Sequence, residues 1–246
     1  MKQHSMLEIV KIKWKAIEES NLKKYFLFAF GEIMLVMIGI LLALQIDTMV
    51  KNRENKKEEI RILTNLLDQD LKNDIEQLTH LIYGTDSISQ IIMGTLTGEK
   101  VDFILKMEAI IADFSFQPND GIFKEATSSG TMRLIKSDEL RGQIFEYYME
   151  IENIKFLSEQ SAFKYNHEFT SPQIYEKVLA TSESFARFNI ELPLPNLNLE
   201  ELIRDQKFMG SFLNRLSFMR SQIESWERLR KTSEELSRRI QDELNT

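Results

Sequence analysis

The sequence predicts an all-α chain: a single N-terminal transmembrane helix, then an antiparallel helical-bundle domain with long first and last helices. Three observations predict it. An apolar run, YFLFAFGEIMLVMIGILLALQI, fills residues 25–46. Apolar residues recur at three- and four-residue steps over 60–82 and again over 209–226, the period of an amphipathic helix. Only 9 Gly and 4 Pro interrupt 246 residues, and no β-rich run stands out.

Residues 1–24 form a basic juxtamembrane segment. Leu7, Val10, Trp14 and Ile17 fall at helical spacing with Lys11, Lys13 and Lys15 around them. This reads either as an interfacial helix with its lysines near anionic lipid or as a disordered basic tail. Residues 25–46 are the transmembrane helix. At about 1.5 Å per residue they give roughly 33 Å, enough for a hydrocarbon core about 30 Å thick. Their Leu, Ile, Val and Phe residues contribute about −4 to −8 kcal/mol to insertion as an upper bound. One carboxyl, at Glu32, opposes this by about 2.5 to 3.5 kcal/mol at most. The apolar contribution wins. The run is too long for the core of a secretory signal, and Leu42-Ala43-Leu44-Gln45 lacks the small residues of a cleavage site. An uncleaved anchor is the expectation.

Residues 47–246 are expected to form the extramembrane domain. KNRENKKEE continues the helix as a solvated charge run. Ile60, Leu63, Leu67, Leu71, Ile75, Leu78 and Ile82 then mark an amphipathic helix ending near Gly94 and Gly98. Val101 to Phe114 reads as a second helix, and QPNDG (117–121) as a turn. Gly130 suits the left-handed position that stops a helix. Ser137 suits an N-cap, with Asp138 and Glu139 in a first turn where the helix dipole favours anions. That helix runs to about Asn166. Ser171-Pro172 opens a short helix, and Asn198 with Glu201 resembles a capping box. From Leu199 to about Leu244 one long helix is expected. Met209, Phe212, Leu216, Met219, Ile223 and Trp226 form its seam.

Charge and composition exclude several functions. The formal charge is −7, which argues against nucleic acid as a main partner. With no cysteine, disulfides and thiolate chemistry are excluded. His80 and His167 have no partner at metal-ligand spacing, so no metal is expected. The carboxylates are too numerous and too evenly spread to mark a catalytic pair. No enzymatic activity and no cofactor are expected.

The stretch Tyr25-Phe-Leu-Phe-Ala-Phe-Gly31-Glu32-Ile33 and then Ile38-Gly39-Ile40-Leu41-Leu42-Ala43-Leu44-Gln45-Ile46 resembles an uncharacterised family of single-pass membrane proteins of Gram-negative bacteria. Its members read Y-x-x-Y-A-x-G-E-I-x-L-V-x-I-G-I-L-I-A-L-Q-I near the N-terminus. A second similarity covers Ser128-Ser129-Gly130-Thr131-Met132-Arg133-Leu134-Ile135, Glu139-Leu140-Arg141 and Tyr147-Tyr148. The chain departs from the family pattern at Asp47-Thr48-Met49 and at Thr131. The resemblance implies a topology and no activity.

Glu32 is the first candidate, because an ionisable group within a bilayer needs something to offset its burial. Tyr25, Ala29, Glu32, Val36, Gly39 and Ala43 share one helix face, and Gly39 with Ala43 lets a second helix approach closely. Glu32 then serves helix pairing, snorkels to the headgroups, or lines an ion path. Ser128, Ser129 and Gly130, with Tyr147 and Tyr148, are the second candidate, read as a ligand-binding turn or as plain capping and packing. The expected function is a membrane-anchored interaction or scaffold protein. It would self-associate as a homo-oligomer, or bind another membrane or envelope protein, besides lipid. The alternative is an extracytoplasmic ligand-sensing bundle. The Lys and Arg counts on either side of the membrane helix nearly tie, six in 1–24 against five in 47–61. A short basic tail resists translocation, so the C-terminal domain is expected in the periplasm, outside the inner membrane.

Overall fold

The computed structural model describes residues 4–98, 110, 114–169 and 204–245, with the side chains of 24–98, 110, 114–156, 158–159 and 204–245. Every regular element among them is helical, and no strand occurs among the described residues. The chain divides into two compact units, residues 1–57 and 58–246. Helix α1 (His4–Asn65) runs through the first unit into the second. A π-helical turn (Leu66–Leu71) leads into α2 (Lys72–Leu96). Then come α3 (Gly121–Ser128), a 3-10 turn (Thr131–Leu134), α4 (Asp138–Phe169) and α5 (Gln206–Leu244).

In the first unit, residues 25–50 carry large apolar side chains that are all exposed, from Tyr25 and Phe28 to Met49 and Val50. This helix is long and apolar enough to cross a membrane, with a mean hydropathy of 2.5 over its most apolar window and none of that window buried.

In the second unit, α5 packs against α2 and α4. The core gathers Ile62 and Leu63 of α1, Leu66 of the π-helical turn, Leu78 of α2, Ile144 and Ile151 of α4, and Trp226, Leu229, Leu236 and Ile240 of α5. The π-helical turn explains how α1 and α2 keep one face inward. Ile62, Leu66, Asp70, Asp74 and Leu78 are all buried, yet four-residue steps drift about 40° each on a regular α-helix, about 160° over the run. A wider turn holds more residues per revolution and takes up that drift. Ile60, expected on the inner stripe, is 41% exposed because the true stripe runs through Ile62 and Leu66.

The helix ends follow local chemistry. Gly98 and Gly130 take positive φ, 83° and 73°, after α2 and α3, the left-handed geometry that terminates helices at least cost with glycine. Ser137 caps α4, its hydroxyl accepting from Leu140 N–H at 3.2 Å while its carbonyl accepts from Arg141 N–H at 2.9 Å. Ser137→Ala is expected to lower the stability of this unit by about 1 kcal/mol, read as a shift in denaturant midpoint at unchanged slope.

One boundary differs from expectation. The last helix does not run unbroken from Leu199: Asp205 is extended, and its carboxylate accepts from the N–H groups of Lys207 (3.0 Å) and Phe208 (3.3 Å). An Asx cap there gives the unpaired N–H donors of the first turn an acceptor. The seam also shifts, with Phe208 buried and Met209 and Ile223 half-buried. Most of the helix expected over Val101–Phe114, the one opened by Ser171-Pro172, and the cap at Asn198 lie outside the described residues.

Candidate functional site

Two places in the described chain carry polar groups where apolar ones are the rule. The first is the exposed face of α1. Glu32, Gly39 and Ala43 are all exposed there, spaced seven and four residues apart and so within about 40° of one another on the helix. A Cβ added at Gly39 would meet no atom within 4 Å. Among the described residues, none occupies this face.

The second place is a buried polar layer. Asp70, in the π-helical turn, and Asp74, at the start of α2, are 2% and 0% exposed. From α4, the Tyr148 hydroxyl donates to Asp70 Oδ2 and the Tyr147 hydroxyl to Asp74 Oδ2, each at 2.8 Å. The loop before α3 supplies the rest. Asn119 donates to Asp74 Oδ1 through its backbone N–H (2.8 Å) and its side-chain amide (3.2 Å). The Asp70 carboxylate accepts from the backbone N–H groups of Ile122 (3.5 Å) and Phe123 (3.2 Å). Asp70 therefore caps α3 from another helix, in the place where Asp120 makes no side-chain cap. Phe123 stacks on Tyr148, ring centroids 3.9 Å apart and 12° between planes, and meets Phe145 edge-on at 5.4 Å.

Charge inside this layer is costly. Burial pushes Asp74 up to about 6, against the bonds from Asn119 and Tyr147 that favour its charged form. Burial raises Asp70 as well, opposed by Tyr148, Phe123 and Ile122. Both tyrosine hydroxyls are held far above their ordinary range, by burial first and then by the neighbouring carboxylates. No proton leaves either phenol in the working pH range, so both stay donors. The arrangement ties a loop and a short helix to the bundle.

Ser128, Ser129 and Gly130 sit exposed at the end of α3, whereas Tyr147 and Tyr148 lie in the core. The hydroxyls of Ser128 (3.1 Å) and Ser129 (2.8 Å) both donate to the carbonyl of Glu125, closing the helix end. Among the described residues no group of three His, Asp or Glu side chains is placed to hold a metal ion. Sequence reasoning passed over Asp70 and Asp74. Their signal was present: Leu66, Asp70, Asp74 and Leu78 lie on one four-residue series, putting two carboxylates on an otherwise apolar face.

No curated protein and no solved structure matches the chain. A sequence family does match, across residues 32–219, taking in Glu32, both aspartates, both tyrosines and the start of α5. The chain belongs to that family, DUF6090, a family of unknown function.

Proposed function

We propose that this protein is a membrane-anchored interaction module: the helix over residues 25–46 crosses a bilayer and pairs with a second copy of itself through Glu32, Gly39 and Ala43. The observation that carries this reading is the continuous exposure of large apolar side chains from Tyr25 to Val50. Water does not tolerate a patch of that size, and none of the described residues covers it. Lipid covers most of such a surface. The small residues mark where a helix approaches closely, and a carboxyl beside them supplies a hydrogen bond in a medium without water.

The soluble part is read as an antiparallel bundle, supported by α5 packing along both α2 and α4. The basic N-terminal tail supports an inner-membrane topology with the bundle in the periplasm.

The test is crosslinking of the full-length chain in membranes. Because the space around Gly39 is open within one chain, Gly39→Leu leaves the isolated helix intact and disturbs only a close partner. Gly39→Leu and Glu32→Ala are each expected to lower dimer yield several-fold, since interhelical polar contacts contribute about 0.6–2 kcal/mol. Unchanged yield in both variants defeats the pairing reading.

A further inference from the structure

The buried layer holds two carboxylates four residues apart and no cation. Every partner of Asp70 and Asp74 is a neutral donor: two phenols, one side-chain amide, and the backbone N–H groups of Asn119, Ile122 and Phe123. Two buried anions held only by neutral donors repel one another and lack the counter-charge that buried ions ordinarily have. A third feature lies on the far side of Tyr147. Ser233 of α5 is fully buried and lies against its hydroxyl, able to donate to it or accept from it.

We infer that Asp70 and Asp74 form a proton-operated latch, in which proton uptake by Asp74 locks the loop before α3, and α3 itself, onto the bundle. Ionised, Asp74 accepts from Tyr147, and Ser233 can donate to the same phenol oxygen. Protonated, Asp74 donates to Tyr147, whose own hydroxyl turns to donate to Ser233. Each buried oxygen in the row keeps a partner in either state, and on protonation one of the two buried charges is gone. No bond beyond these hydrogen bonds is made or broken, and the proton comes from solvent.

The groups facing Asp74 are all accounted for. Asp70 approaches from the π-helical turn and raises it, Tyr147 and Tyr148 come from α4, and Asp120 of the loop acts on Asp70. From α5 comes the neutral Ser233, and from α3 only backbone amides. The direction follows from linkage. The latched state holds Asp74 up at about 6 from an ordinary value of 3.8. Stabilisation by its proton is therefore complete below the lower value and is lost as pH rises through the upper one. Acid closes the latch.

Amide hydrogen exchange over residues 117–123 of the full-length protein in detergent micelles tests this. Protection factors there are expected to rise roughly tenfold as the pH falls from about 7.5 to about 5. Asp74→Asn is expected to remove that dependence, and Ser233→Ala, which takes a partner from Tyr147 in both protonation states, to leave it in place. Protection that stays flat or falls on acidification overturns the latch, as does a pH response in Asp74→Asn equal to that of the wild type. Should Asp74→Asn not fold, the wild-type profile decides the matter without it.

Discussion

Trp226→Ala is expected to be the most damaging single truncation in the soluble unit. Trp226 is the largest of the fully buried side chains, and it belongs to the cluster that joins α5 to Leu78 and to Ile144 and Ile151. Removing an indole from such a site loses its transfer free energy and leaves a cavity that a rigid helix contact cannot close, about 3–5 kcal/mol together. Against a total stability on the order of 5–15 kcal/mol for a domain, that is a large share. Urea unfolding followed by circular dichroism measures it on the full-length chain in micelles. Trp226→Phe, which keeps a ring in the site, should cost clearly less. A loss below about 1 kcal/mol for the alanine variant would mean that Trp226 is not packed as described.

The second large effect concerns the anchor. Met37→Arg with Ile38→Arg puts two guanidinium groups close to the middle of the 25–46 run, and each costs about 2.5–3.5 kcal/mol on the insertion scale. Neither position lies three or four residues from Glu32, so neither arginine is neutralised by an ion pair along the helix. Their combined cost of about 5–7 kcal/mol, added to that of Glu32, rivals the apolar gain of about 4 to 8 kcal/mol that drives insertion and is itself an upper bound. The wild-type chain is expected to stay with membranes through alkaline carbonate extraction, and the double variant to be released. Equal retention of the two proteins contradicts the membrane-spanning reading.

The helices were legible where one physical signal dominated. The left-handed glycine at Gly130 and the serine cap at Ser137 are each set by a few adjacent residues, and both stand where the sequence puts them; the long apolar run after Lys24 lies on a helix, as its composition predicts. Asp205 was harder to see, because an aspartate can cap a helix or ride on its surface, and only the neighbouring backbone decides which. The buried layer was harder still. Tyr147 and Tyr148 stood out as a pair, but their partners lie 73 and 78 residues away. No local pattern announces a contact at that separation. The four-residue series through Asp70 and Asp74 also looks irregular against a 3.6-residue period, because the turn that makes it regular is itself a product of packing.

That widened turn at Leu66–Leu71 gives the long helical run one place where a lost residue is tolerated. Along an ordinary helix, length and azimuth advance together, so a one-residue deletion anywhere swings everything beyond it by about 100°. Here a surplus residue is stored in a single coil. A deletion inside that coil is absorbed by tightening it to a regular turn, and the helix still arrives at α2 in phase, with Asp74 and Leu78 facing α4 and α5. The coil behaves as a phase adjuster: the chain upstream sets how far the helix has travelled, and these six residues set which way it faces on arrival.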